Sequence, residues 1–229
     1  MVNTMAETIG MENRRKIQEI MRKRGIREFV HFTDVRNIPS ILDQGGIITR
    51  QQMEDTDMPF YVSDTERLDK RKNSISLSIS FPNYLMFYKK RCQEPDRKWC
   101  VFTLDAEKVL ERYLIINTGN AAATASESKN IDRPGCVELF ESLFDEEVGS
   151  YKRNGLLLKL TTDPQAEILC MDKIPLTDIK KCYFNYEDLP TRKQYEDMLV
   201  QAGIRVGSSR HHFDKRSNCD YYKKPMRQH

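Results

Sequence analysis

The stretch SISLSIS at residues 74–80 constrains the fold more than any other part of the chain. Strict alternation puts Ile75, Leu77 and Ile79 on one side of an extended backbone and the serines on the other. That is the period of a half-buried strand and not of a helix. Further strands are predicted at 28–33 (EFVHFT), 99–104 (WCVFTL), 113–116 (YLII), 165–171 (QAEILCM) and 179–185 (IKKCYFN). Short helices are predicted between them. Residues 11–24 carry Ile17, Ile20 and Met21 at helical spacing, and residues 35–44 follow Asp34 as a cap and stop at Gly45–Gly46. Residues 105–112 start at Asp105, 136–144 place Val137, Phe140 and Phe144 on one stripe, and 190–202 follow the last strand. Pro82 permits a turn into a short helix over FPNYLMFYKKR, whereas 117–130 reads as a loop with a short helix and the segment from Gly203 as irregular. Strands and helices alternate without a regular βαβ rhythm, so the expected class is α+β, a mixed sheet flanked by short helices.

Composition narrows the function classes. With 229 residues, 39% hydrophobic and 31% charged, the chain can bury a core without disulfides. The six cysteines form no C-x-x-C pair and no zinc-type spacing with histidine, which predicts reduced thiols, a cytoplasmic setting and no metal. No secretory signal and no apolar run of membrane-spanning length are visible, so no membrane association is expected. Walker A, G-x-G-x-x-G and G-x-S-x-G sequences are absent, which removes the common phosphate cradles and the serine-hydrolase elbow.

Two positions stand out. His31 and Thr33 sit on alternate positions of an apolar strand, so both side chains point the same way and suit a planar ligand or a ribose. A satisfied core histidine is the plainer alternative. Glu167 lies mid-strand on the face of Gln165 and Leu169, opposite Ala166, Ile168 and Cys170. It is either an edge-exposed charge or a functional carboxylate. Charge is unevenly placed. The helix over 11–24 has a basic face, and from Gly203 onward seven basic residues face two acidic ones, with Phe213, Tyr221 and Tyr222 interleaved.

Five segments, in order, resemble the DarT family of DNA ADP-ribosyltransferase toxins. They are VHFTDVRNIPSILDQGGI, DTERLDKRKNSISLSISFPNYLMFYKKR, Asn120-Ala121-Ala122, the helix ending in Phe140-Glu141-Ser142-Leu143-Phe144, and TTDPQAEILCMDKIPLTDIKKCYF. The resemblance covers about residues 29 to 184. It implies an ADP-ribosyltransferase-like fold that consumes NAD⁺ as a co-substrate and holds no permanent cofactor. It also implies single-stranded DNA as acceptor, a macrodomain antitoxin as partner, a toxin or anti-phage role, and a monomer. Carried over by position, His31, Thr33 and Asn37 become NAD⁺ contacts and Glu167 the catalytic glutamate. The functional arginine falls on Arg67, with Arg71 as the alternative because Asp69-Lys70 replaces the Asp-Gly expected after Arg-Leu. Tyr84, Tyr88, Lys89 and Lys90 become candidate nucleic-acid contacts, since single-strand binders combine cationic grooves with aromatic faces. The chain then divides into a basic N-terminal helix (1–27), a catalytic domain (28–202) and a basic C-terminal tail (203–229). RNA as acceptor, NAD⁺ hydrolysis, and a non-catalytic nucleic-acid-binding module on the same fold are the rival readings.

Overall fold

The structure, a computed structural model, describes residues 2–55, 60–61, 72–120 and 127–216. The strands are β1 (Glu28–Asp34), β2 (Gly46–Ile47), β3 (Ile75–Ile79), β4 (Trp99–Asp105), β5 (Leu114–Asn117), β6 (Ser128–Asn130), β7 (Glu147–Val148), β8 (Tyr151–Lys152), β9 (Glu167–Cys170), β10 (Ile174–Pro175), β11 (Ile179–Asn185) and β12 (Arg205–Ser209). The helices are α1 (Val2–Arg24), α2 (Ile38–Asp43), α3 (Arg50–Glu54), α4 (Tyr84–Gln93), α5 (Ala106–Leu110), α6 (Cys136–Ser142) and α7 (Leu189–Gln201). Eight strands make one sheet in the order β12-β11-β4-β1-β3-β9-β5-β6, while β2–β10 and β7–β8 form two small ribbons. Every pair in the large sheet is antiparallel except β11–β12. This mixed, mainly antiparallel sheet with flanking helices is the α+β class expected from the sequence.

The alternation in β3 does what its period dictates. Ile75, Leu77 and Ile79 join the main core with Phe29, Phe102, Ile168 and Cys170. The opposite face of the sheet carries two smaller clusters. One is Val30, Phe87, Trp99, Val101 and Phe213; the other is Phe81, Tyr84 and Leu160. Glu167 belongs to that second face, because Leu169 pairs with Ser76 and Ile168 with Leu77.

Two expectations about the ends change. Residues 205–209 are not irregular: β12 pairs in parallel with β11, from Lys181↔Arg205 to Asn185↔Ser209. Beyond it Phe213 is buried against Phe87, with ring centroids 5.5 Å apart, so it is not a free stacking face. At the other end α1 starts at Val2, well before residue 11, and docks through Ile17 and Met21. Its basic face is engaged in part: Arg15, Lys16, Arg22 and Lys23 stay exposed, while Arg14 and Arg24 are half-buried. Arg14 donates to the Leu110 and Arg112 carbonyls and pairs with Asp132 at 2.8 Å. Arg15 and Lys16 pair with Glu19 and Glu12, and Arg24 lies 4.2 Å over the Phe144 ring. The expected helix over 35–44 is split, with a 3₁₀ turn at Val35–Asn37 before α2, where Pro39 occupies the first turn. Gly46 is required sterically: a Cβ there would sit 2.3 Å from the Ile174 carbonyl in the β2–β10 ribbon.

Candidate active site

Glu167 opens β9, opposite Asn117 of β5, and is 5% exposed. Burying a carboxylate is costly unless polar groups meet it. One that does is Asn83, itself 2% exposed, whose Nδ2 donates to Glu167 Oε1 at 3.4 Å. Asn117 holds the backbone instead: its Nδ2 donates to the Glu167 carbonyl at 3.3 Å, while Ser128 Oγ donates to Asn117 Oδ1. Ser76 and Ser78 of β3 occupy the same face.

The chain reaches Asn83 through a strained turn. Ser80 has φ +58°, and Phe81 N–H donates to the Ile79 carbonyl at 2.7 Å, which closes a three-residue γ-turn. Ser80 is buried, and its Oγ has no partner among the described residues. Strain of this kind persists only where the surroundings enforce it.

The approach to Glu167 from the other side is organised by Arg153, a buried guanidinium. Nη1 donates to the Leu160 carbonyl at 2.7 Å, and Nη2 donates to those of Leu157 and Leu158 at 3.1 and 2.9 Å. The loop thus wraps around one cation before Asp163, whose Oδ1 accepts from Gln165 N at 2.7 Å. Burial raises the Asp163 carboxyl above its ordinary range, opposed in part by the Gln165 N–H and by Arg216.

The β1 candidates lie elsewhere: His31 and Thr33 alternate with Val30 and Phe32 and so take the main-core face, opposite to that of Glu167. The ladder of β1 to β3 covers only Phe29↔Ile79 and Val30↔Ser78, whereas its ladder to β4 continues to Asp34↔Trp99. Past Val30 the sheet therefore parts between β1 and β3. The His31 ring spans the parting, with Nδ1 3.0 Å from the Ser76 carbonyl. A carbonyl only accepts, so Nδ1 carries the proton, and in a neutral ring Nε2 is the acceptor.

Thr33 and Asn37 face inward and bind the protein itself. Asn37 Nδ2 donates to Thr33 Oγ1 at 2.9 Å and to the Tyr61 carbonyl at 2.8 Å, and Asn37 Oδ1 accepts from Tyr61 N at 2.8 Å. One side-chain amide thus pins the backbone of residue 61 from both sides. Arg36 lies 3.7 Å over the Tyr61 ring and is itself held by Asp34 at 2.6 Å. Arg97 reaches the same Asp34 oxygen at 2.6 Å.

The remaining expected residues fall unevenly. Arg67 and Arg71 lie outside the described residues. Tyr84 is 1% exposed, packed near Phe81 and stacked on Tyr88 at 5.8 Å, so its ring is core and not an open platform for a base. Tyr88 and Lys90 are half-buried and Lys89 is exposed. Asn83, Ser80, Asn117 and Arg153 were not singled out from the sequence. Only Asn83 left a signal, as an Asn following Pro82 at the start of an apolar helix.

Other chemistries find little support. Burial pushes the Cys136 thiol up to about 12 and that of Cys170 up to about 11, so neither offers a thiolate near neutrality. Among the described residues no cluster of His, Cys, Asp and Glu could hold a metal, and no helix is long and apolar enough to cross a membrane. A groove of about 620 Å³ runs between the end of β1, the turn after α4 and α7, lined by Asp34, Arg36, Arg97, Lys98 and Tyr195 among others. The buried carboxylate among these lining residues, Asp34, is already bound by two arginines.

Solved structures share this architecture. Thermosipho africanus DarTG in complex with ADP-ribose matches at 16% identity and TM-score 0.56, over 79% of this chain and 49% of that one. Thermus sp. 2.9 DarT matches with NAD⁺ at 14% identity and TM-score 0.55, over 80% and 95% of the two chains. The same protein with ADP-ribosylated ssDNA matches at 14% and 0.57, over 81% and 95%. The chain therefore spans about half of the Thermosipho protein and nearly all of the Thermus one. At such identities the likeness shows the fold. No curated protein sequence matches. The family model described as "ssDNA thymidine ADP-ribosyltransferase, DarT" matches residues 30–206, most of the chain, and the chain belongs to that family.

Proposed function

We propose that this protein transfers ADP-ribose from NAD⁺ to the thymine base of a thymidine in single-stranded DNA, with Glu167 as the working carboxylate. The observation that carries the reading is a buried glutamate held between an amide and a serine-lined strand, inside the span that the family model matches. The reaction breaks the bond between ribose C1′ and nicotinamide, and nicotinamide leaves as a neutral ring with the bonding electrons. It needs no general acid. Positive charge builds on the ribose, as in glycoside hydrolysis, and an ionised Glu167 stabilises it. Thymidine has a single ring N–H, at N3. As N3 bonds to C1′ its proton must leave, and the same carboxylate takes it, a role worth about 10²–10⁴-fold.

The His31 ring spans the parting between β1 and β3, where we place NAD⁺. Thr33 and Asn37 serve the dinucleotide through the backbone they fix at residue 61. Arg67, or Arg71 in its stead, supplies the cation for the pyrophosphate or for orienting Glu167. The base must be unpaired or extruded to expose N3, which accounts for a single-stranded acceptor. The DarTG likeness supports a toxin paired with a macrodomain antitoxin, and we propose further that the protein works as a monomer in the cytoplasm.

The test is incubation with NAD⁺ and matched DNA and RNA oligonucleotides, with and without thymidine or uridine, followed by mass spectrometry. One added ADP-ribose on thymidine-containing DNA is expected. Modification of RNA alone, or free ADP-ribose without adduct, would overturn the reading.

A further inference from the structure

The Asn83 side chain has two partners of opposite kind, and they fix its orientation. Its Oδ1 accepts the Met86 backbone N–H at 3.3 Å, which caps the N-terminus of α4. A backbone N–H can only donate, so the oxygen must face the helix. Nδ2 is then turned toward Glu167 Oε1 at 3.4 Å, and an ionised carboxylate can only accept. The two demands agree, and neither survives a flip of the amide. Both partners are buried: Asn83 is 2% and Glu167 5% exposed. The Ser80 γ-turn delivers Asn83 to this place directly after β3, across 84 residues of sequence from Glu167.

We infer that Asn83 is a positioning residue for the transfer reaction, whose amide uses its oxygen to cap α4 so that its N–H fixes the Glu167 carboxylate facing the ribose. A helix cap by itself would be satisfied by serine or aspartate. Asparagine is the residue that caps with one end and still offers an N–H at the other. The inference rests on Glu167 being the working carboxylate.

The test compares Asn83→Ser, Asn83→Asp and Asn83→Ala in the full chain, with Glu167→Gln alongside. Serine retains the cap, so Asn83→Ser should melt within about 2 °C of the parent, since an intact cap is worth about 1 kcal/mol; Asn83→Asp also caps α4 but buries a second carboxylate beside Glu167 and should melt lower. Their KM for NAD⁺ should stay within about twofold while kcat falls by about tenfold or more, the scale of losing one donor to a charged catalytic group. Asn83→Asp, which sets a second carboxylate against Glu167, should fall further than Asn83→Ser. Asn83→Ala should lose both kcat and melting temperature. Parental kcat in Asn83→Ser, a change confined to its KM, or a loss of kcat in Asn83→Ser matched by a fall in its melting temperature would overturn the inference. If Asn83→Ser is fully active and Glu167→Gln is dead, only the role of Asn83 fails. If Glu167→Gln is active, the reading of the site fails before Asn83 is reached.

Discussion

Asp34 ties the end of β1 together, and replacing it has a calculable cost. Its side chain is fully buried and accepts from Arg36 N at 2.8 Å, from the Arg36 guanidinium at 2.6 Å and from Arg97 Nε at 2.6 Å. The Arg97 side chain is only 10% exposed, whereas that of Arg36 is 50% exposed. Asp34→Ala therefore removes one of two carboxylates from a mostly buried cation, since Arg97 keeps Glu94 at 2.9 Å, while the loss at Arg36 is largely screened by water. Removing one partner of a buried pair costs about 3–5 kcal/mol. With Glu94 still in place the loss sits near the lower bound, about 3 kcal/mol, which for a chain of this length is a drop of about 6–12 °C in melting temperature, at about 2–4 °C per kcal/mol. Asp34→Asn keeps the turn cap and should lose less. Burial alone would raise the Asp34 carboxyl, but the hydrogen bonds from Arg36 and Arg97 outweigh it and hold it below the ordinary range. Such a group adds stability above the unfolded carboxylate pKa of about 3.9, and loses it as pH falls through the lower folded value. The gap in stability between parent and Asp34→Asn should be flat above about pH 5 and close on further acidification. Thermal melts read by circular dichroism from pH 3 to 8 give both numbers. A melting temperature for Asp34→Ala within about 2 °C of the parent, or a gap that widens in acid, would refute the reasoning.

Other consequences follow from the same geometry. Asn37→Ala frees the residue-61 backbone and should raise the KM for NAD⁺ more than Thr33→Val, which removes one acceptor; calorimetric titration with NAD⁺ that ranks them oppositely would return Thr33 to direct contact. His31→Ala should weaken NAD⁺ binding by about 1 kcal/mol or more through the lost hydrogen bond, read in the same titration. Truncation before Arg205 strips β12 from the sheet and removes Phe213 from its cluster, so it should abolish cooperative unfolding; a soluble, cooperatively melting product would contradict the sheet order. Arg67→Ala should lower kcat more than Arg71→Ala, and the reverse order would shift the assigned register.

What the sequence made legible was local. The alternation in β3 needs only seven consecutive residues, and the caps at Asp34 and Asp105 need only three or four. Pattern alone left Glu167 open between an edge-exposed charge and a functional carboxylate, and it was the family resemblance that singled it out; it opens β9 and does not sit in mid-strand as expected. What stayed hidden depends on distance. Asn83 meets Glu167 across 84 residues, and Asn37 meets Tyr61 across 24, and no local pattern encodes either meeting. The positive φ at Ser80 is also silent, since serine carries no preference for it as glycine would. Residues 205–209 read as tail because RVGSS is polar, yet an edge strand needs backbone partners more than apolar side chains. Within the basic face of α1, which is mostly exposed, one residue departs from the pattern. Arg14 looks solvated by composition, but its guanidinium closes on two backbone carbonyls and an aspartate.

The central claim is that Glu167 performs the chemistry while the surrounding fold binds the substrates. The measurement that addresses it most directly is single-turnover mass spectrometry with Glu167→Gln, NAD⁺ and a thymidine-containing single-stranded oligonucleotide, beside calorimetric titration of the same variant with NAD⁺. Glutamine keeps the shape and can still pair with Asn83, but it carries no negative charge and takes no proton. The expected result is NAD⁺ affinity within about threefold of the parent and adduct formation slower by at least about 10²-fold. Adduct at the parental rate, or loss of NAD⁺ binding in place of chemistry, would contradict the account.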